Sequence, residues 1–346
     1  MERLTVGTGR LELVRLAHGG GGLLTRELVG RVFLKHLGNP VLDRLEDAAV
    51  LPGRLALTTD AFVVSPLFFP GGDIGRLAVC GTVNDLAMVG ARPLALTASF
   101  ILEEGLPLAD LEQVVASMAA AAREAGVTVV AGDTKVVERG GADGLFVTTA
   151  GVGLVPEGIA LGTDRIRPGD RVVVSGPVGD HGIAVLSRRP GLEFDTPVLS
   201  DCRPLNGLVA HLFARLAQGV GTSAVRFLRD PTRGGLATVL KEAAEGASVD
   251  IVLEEEEIPV RPEVRGAAEV LGLDPLYLAN EGKLVAVCAP EGVEEVLAAL
   301  RERPEGREAR AIGRVEAGRG NVILRTAFGG RKILDLLPGE QLPRIC

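Results

Sequence analysis

Cysteine is scarce in this chain of 346 residues, and no two cysteines stand in a CxxC pair. Cys80, Cys202, Cys288 and Cys346 are scattered, and the four histidines form no HExxH set, which argues against a structural zinc site. So few thiols fit a reducing, cytoplasmic setting. Basic charge is also short. The 37 Lys and Arg against 45 Asp and Glu leave a net charge of −8, with no basic stripe or tail, so neither nucleic acid nor an anionic membrane is expected as a partner. The opening "MERLTVGTGRLELVRLAHGGGG" has no apolar signal core, and no stretch is long enough to span a bilayer. There is no GxxxxGK[ST] phosphate loop and no GxGxxG after a strand. Lysine is nearly missing too: of the 37 basic residues only Lys35, Lys135, Lys241, Lys283 and Lys332 are lysines. Where arginine is the default, a lysine marks a place where a tunable ammonium is wanted. Lys35, Lys241 and Lys332 read as surface residues, whereas Lys135 and Lys283 read as members of glycine-bearing turns.

What is present is an ordinary globular composition, 47% hydrophobic and 24% charged, of a length that suggests two domains. Strands and helices alternate. "AAVL" and "RLALTTD" read as strands, "DIGRLAVCGTVNDLAMVG" as a helix closed by Gly90, and "RPLALTASFIL" as a buried strand. "PLADLEQVVASMAAAAREAG" is a helix between a proline and a glycine, followed by the strands "VTVVAGDTK" and "GLFVTTAGVGLV". After the Pro/Gly-punctuated "PEGIALGTDRIRPGD" a second alternating set begins. The division is an N-terminal segment 1–40, an α/β domain 41–155, a linker 156–170, a second α/β domain 171–335 and a mobile tail 336–346. Ten extended residues from Leu337 reach roughly 33 Å, enough to swing Cys346 into a cleft. A cysteine at the end of such a tail is either incidental, on a frayed end, or a thiol on an arm.

The candidate chemistry lies in acids at the ends of elements. Asp47 follows "RLE", Asp60 ends "LALTTD", Asn84 and Asp85 interrupt an apolar helix, and Asp133 ends "VVAGD". Each could cap a helix or pair with one of the many arginines. As a set they could surround Mg²⁺ and nucleotide phosphates, since an unpaired buried carboxylate is costly. "HGGGG" at 18–22 offers bare N–H groups before a helix, which is either an anion site or a hinge. "RDPTRGGL" places Asp230 and Thr232 at another helix start, as caps or as phosphate contacts. "ANEGK" sets Glu281 on a turn, where an ordinary exposed glutamate is the plain reading.

Taken in order, "HGGGG", "EDAAVL", "TTDAFVVSPLFFPGGDIG", "GTVNDLAMVGARP", "AGDTKVV", "DPTRGGL", "ANEGK" and a final "PRIC" resemble the HypE family of NiFe hydrogenase maturation proteins, over nearly the whole chain. That family shares an ATP-binding superfamily with aminoimidazole ribonucleotide synthetase, thiamine-monophosphate kinase and selenophosphate synthetase. The resemblance implies a two-domain α/β (α+β) synthetase-like fold, an N-terminal sheet that pairs in a homodimer, and a flexible tail. It implies a carbamoyl group placed on Cys346 by the carbamoyltransferase HypF. ATP and Mg²⁺ then drive dehydration to a thiocyanate, and the cyano group passes to iron on the HypC–HypD complex. It further implies that Glu281 and Lys135 manage the protons of the carboxamide. Asp47, Asp60, Asp85 and Asp133 would face Mg²⁺, and Asn84, Thr134, Gly20, Gly21 and Asp230 would join them around the nucleotide. Two other readings are a small-molecule kinase of the same superfamily and a nucleotide-binding scaffold without catalysis.

Overall fold

The computed structural model describes residues 13–338 and 344–346. The first twelve residues, which carry most of the "no signal core" reading, and five of the tail lie outside the described residues.

Helix α1 (Leu23–Leu28) runs through a wide π turn into α2 (Lys35–Leu37), so the helix expected after the glycine loop spans 23–37. The first sheet is built from β1 (Ala49–Leu51), β2 (Leu55–Phe62), β5 (Arg92–Glu103), β6 (Val129–Val137) and β7 (Leu145–Leu154). A two-stranded ribbon, β3 (Phe68–Phe69) with β4 (Gly72–Asp73), precedes α3 (Ile74–Met88). The strand order is β1-β2-β7-β5-β6, antiparallel except for the parallel β5–β6 pair. Period-2 alternation turns Ala56, Thr58, Asp60 and Phe62 of β2 toward α3. Asp73 caps α3, its Oδ1 accepting from the backbone N–H of Gly75 and Arg76. Helix α4 (Leu108–Ala125) covers α3 and ends on Gly126 in the left-handed conformation. The run "RPLALTASFIL" is not buried on both faces as expected. It alternates, because only one face of this sheet is covered by helices, and Leu57, Leu94 and Ile101 stay exposed on the sheet.

The second sheet has β8 (Arg171–Val174), β9 (Val225–Arg229), β10 (Val249–Glu254), β11 (Val285–Cys288), β12 (Arg310–Ala317), β13 (Val322–Arg325) and β14 (Arg331–Leu334), in the order β14-β13-β10-β12-β8-β11-β9. Here both faces are covered. Val172, Val174, Val285 and Val287 pack with α7 (Gly235–Ala247). Val173 and Ala286 face the opposite way, toward α6 (Asn206–Leu216) and α9 (Val293–Arg301). Two further helices, α5 (Asp180–Leu186) and α8 (Pro262–Leu271), complete this half. Lys241 is buried on α7 rather than exposed as expected; its ammonium donates to the Gly320 carbonyl and pairs with Glu245 and Asp335.

Candidate active site between the two halves

The sequence builds one acid cluster from four separate elements. β2 presents Thr58 and Asp60 on one face, and α3 presents Thr82 and Asp85 one turn apart, so the two elements interlock side chain to side chain. The Thr58 hydroxyl lies 2.8 Å from Asp85 Oδ2, and Thr82 Oγ1 lies 2.8 Å from Asp60 Oδ2. Asp47 precedes β1, and Asp230 follows β9 in the other half of the molecule. Asp47, Asp85 and Asp230 each place a carboxylate oxygen within 4.8 Å of the others. Arg229 anchors the group with an ion pair to Asp47 (2.8 Å) and another to Glu242 (3.0 Å).

Burial dominates the electrostatics. It pushes Asp47 up to about 6, with Arg229 pulling the other way. Asp85 and Asp230 rise well above the ordinary carboxylate range, first from burial and then from their acidic neighbours. Burial also raises Asp60, against Thr82 and Arg233. Four carboxyls crowd together and outnumber Arg229 and Arg233 beside them. The donors are all oxygen, which fits a hard cation such as Mg²⁺.

The glycine loop reaches this cluster. Gly21 has φ +78, and a Cβ there would stand 2.9 Å from the Cβ of Arg233. Arg233 in turn donates to the Gly19 carbonyl at 3.1 Å. "HGGGG" and "DPTRGG", far apart in sequence, are thus one surface, and Gly20, Gly21 and Asp230 share it. Beside Asp47 opens a mainly apolar cleft of about 340 Å³, lined by Val41, Leu42, Leu45, Val50 and Leu57.

Glu281 is buried, not an exposed turn residue, and its Oε1 has no hydrogen-bond partner. Burial, then Asp230, Asp201 and Asp60, push its carboxyl well above the usual range. Its backbone is held firmly. The Glu281 N–H donates to Asp201 Oδ1 (3.0 Å), and Lys283 Nζ donates to Asp201 Oδ2 (3.0 Å). Burial raises Asp201, but Lys283 and that N–H outweigh it and hold the carboxyl low. A Cβ on Gly282 would stand 1.9 Å from the Asp201 carbonyl, so the loop closes this tightly only with glycine. Lys283 therefore belongs to this brace rather than to an open turn. A polar cavity of about 850 Å³ lies behind the brace, lined by Arg76, Asp180, Ser200, Asp201, Arg203 and Lys283 among others.

Two of the expected site residues stand outside the carboxylate cluster. Asn84 is buried, and its amide is committed to backbone: it donates to the Arg203 and Glu281 carbonyls and accepts from the Leu205 N–H. It joins the halves behind Glu281. Asp133 stands apart from the carboxylate cluster. It pairs with Ser99 on β5, Ser99 with Thr148 on β7, and β7 with β2 beside Asp60. Three strand spacings separate it from Asp60, about 14 Å, so within one chain it cannot share an ion with the cluster. Asp133, Thr134 and Lys135 lie on β6, an edge strand rather than a turn, exposed along almost its whole length. Lys135 Nζ sits 2.8 Å from Asp133 Oδ2, and this bond with the Thr134 N–H lowers the Asp133 carboxyl.

The end of the tail is docked on its own chain. Cys346 O accepts from the Val63 N–H at 3.0 Å, and Arg344 O accepts from the Ser65 N–H at 3.2 Å. Arg344 pairs with Asp143 and lies over the Phe146 ring. Ile345 is buried, and Cys346 packs against the apolar cluster that includes Phe62, Cys80 and Cys202. Sequence reasoning passed over Asp201, Ser200 and His181. Their signal, polar residues set between apolar runs in "VGDHGIAVL" and "VLSDC", is also that of ordinary caps.

Comparison with known proteins agrees with this arrangement. Residues 45–155 match the family model described as AIR synthase related protein, N-terminal domain, and residues 167–325 match the corresponding C-terminal domain. The carbamoyl dehydratase HypE of Azotobacter vinelandii is 54% identical over 350 residues, covering all of both chains. Among solved structures, a HypE–HypF complex superposes with a TM-score of 0.85 at 49% identity, over 90% of this chain and 99% of that one. A HypE in complex with ATP gives 0.79 at 50% identity, over 96% and 99%.

Proposed function

The chain belongs to the HypE family of carbamoyl dehydratases, and from that premise we propose how its own residues divide the work. It is an ATP-dependent carbamoyl dehydratase of hydrogenase maturation. The group it acts on is the thiocarbamate of Cys346, –S–C(=O)–NH₂, and the product is the thiocyanate –S–C≡N. The carboxamide oxygen attacks the γ-phosphorus of ATP, and ADP leaves. Phosphate then departs with that oxygen while the nitrogen gives up both protons, one to the phosphate and one to a base. Oxide leaves a carboxamide badly and phosphate leaves well, which is why ATP is needed.

Asp47, Asp85 and Asp230, with Asp60 beside them, would hold Mg²⁺, and the observation that carries this is that the first three bring carboxylate oxygens within 4.8 Å of one another. Bound there, Mg²⁺ supplies neutralisation of charge on the phosphate oxygens. The glycine loop and Arg233 lie against the phosphates, and the apolar cleft beside Asp47 takes the base. Glu281, braced by Asp201 and Lys283, is the proton acceptor. Burial first, and then the surrounding acids, push its carboxyl above the usual range, and neutralising those acids would ease it back toward the carboxylate form.

Lys135 and Asp133 join through a second copy of the chain. Among the described residues β6 leaves a sheet edge unpaired, and the uncovered face carries Leu57, Leu94 and Ile101. A homodimer that covers this face removes an edge that would otherwise invite uncontrolled pairing and brings the Asp133–Lys135 pair against protein. The tail receives its carbamoyl group from HypF and delivers the cyano group to HypC–HypD. The reaction is placed in the cytoplasm; among the described residues no helix is long and apolar enough to cross a membrane.

The test is Glu281→Gln. Its tail still becomes carbamoylated, and thiocyanate formation falls by ~10²-fold or more, the size of a lost general base. Unchanged turnover would remove Glu281 from this role.

A further inference from the structure

His181 opens α5 in the second half and is wholly buried, its ring meeting Phe69 edge-on with centroids 5.4 Å apart. One ring nitrogen, Nε2, lies 2.9 Å from the Ile345 carbonyl oxygen. A carbonyl cannot donate, so Nε2 carries the proton. The other, Nδ1, lies 2.8 Å from Ser200 Oγ, which itself accepts from the Cys202 N–H at 3.1 Å. Burial lowers the imidazole's affinity for a second proton, and in the neutral ring Nδ1 is bare and the serine hydroxyl donates to it. The relay has one direction, from the Cys202 N–H through Ser200 and His181 to the tail. It ends on backbone, one residue before Cys346. Val63 and Ser65 hold the carbonyls on either side, and Arg189 donates to the Arg344 carbonyl at 3.1 Å.

We propose that His181 is a positioning residue for the tail: tautomer-locked by Ser200, it pins the Ile345 carbonyl and so fixes where Cys346 is presented. The groups that hold the last three residues come from both halves, Val63 and Ser65 from the first and His181 from the second, so the full set of contacts needs both halves in place. The inference rests on the Cys346 reading above for its purpose, and its structural content stands without it.

The experiment measures the rate at which iodoacetamide alkylates each of the four cysteines, resolved by peptide mass spectrometry, with no nucleotide or transferase present. In His181→Phe the Cys346 rate rises about tenfold, the equilibrium value of one net hydrogen bond. His181→Gln, which keeps a donor, stays closer to wild type. Ser200→Ala gives a smaller rise, and adding it to His181→Phe gives no further change, because both act through one relay. Buried Cys80, Cys202 and Cys288 stay unreactive throughout. Equal Cys346 rates in His181→Phe and wild type would overturn the proposal. So would a Gln variant as fast as Phe, or buried thiols that open together with Cys346. A second arm uses carbamoylated protein with Mg-ATP. His181→Phe slows thiocyanate formation while HypF loads it normally. Absence of thiocyanate in wild type would count against the dehydratase reading, not against the alkylation result.

Discussion

Two aspartate sites in this molecule look alike on paper and behave oppositely. Asp47, Asp60, Asp85 and Asp230 sit at a seam between two halves, mostly buried, with carboxyls pushed up by burial. Asp133 sits on the open edge of a sheet beside Lys135, with its carboxyl pulled down. The residue type is shared; the solvent is not. A crowded buried set is unstable until a cation joins it, whereas an exposed pair is content in water. The first set meets within one chain, and the second would acquire a role if another copy covered it.

Substitutions separate the two. Cys346→Ala should abolish thiocyanate formation while ATP binding persists, since it removes the carrier and touches neither aspartate site; product from that variant would end the carrier role. Asp85→Asn should lower ATP-dependent turnover by ~10²-fold or more and yet raise the melting temperature of the metal-free protein at pH 7.5, because a buried charge is removed. Asp133→Asn, measured alongside by calorimetry, should leave that temperature nearly unchanged. An equal rise in both would erase the distinction. Val136→Lys, on the exposed edge strand β6, should yield a monomer by sedimentation velocity with reduced turnover. A fully active monomer would show that Asp133 and Lys135 need no second copy.

The smallest effect is on pH. The folded-state pKa of Asp47 is about 6, against an ordinary value of 3.8. A raised carboxyl favours the folded state when protonated, so its contribution is fully present below about 4 and is lost as pH rises through about 6. Metal-free protein should therefore gain a few degrees in melting temperature between pH 7.5 and 5.5, and Mg²⁺ should stabilise it more at pH 7.5 than at 5.5. The opposite ordering would contradict the buried-charge reading of the cluster.

Much of this was legible in the chain. Alternating strand and helix patterns located both sheets, and acids at element ends pointed to Asp47, Asp60, Asp85 and Asp133, with Asp230 read only as a cap or phosphate contact. What period and spacing do not carry is lateral placement in a sheet: Asp60 and Asp133 end similar strands, and only the order β2-β7-β5-β6 shows that three spacings part them. Helix α5 escaped notice because all seven of its residues are buried, so no polar stripe marks it, and Gly182 interrupts it. Helix α8 was not expected either, although it carries both a proline at its first turn and Gly272 after its end. Lys241 and Asn84 are explained only by carbonyls distant in sequence.

The measurement that bears most directly on the whole scheme is intact-protein mass spectrometry of HypF-carbamoylated protein given Mg-ATP or a non-hydrolysable analogue. Loss of one water from the peptide ending in Cys346, with ATP and not with the analogue, is the expected result. An adduct that ATP leaves unchanged, or that never forms on Cys346, would contradict it.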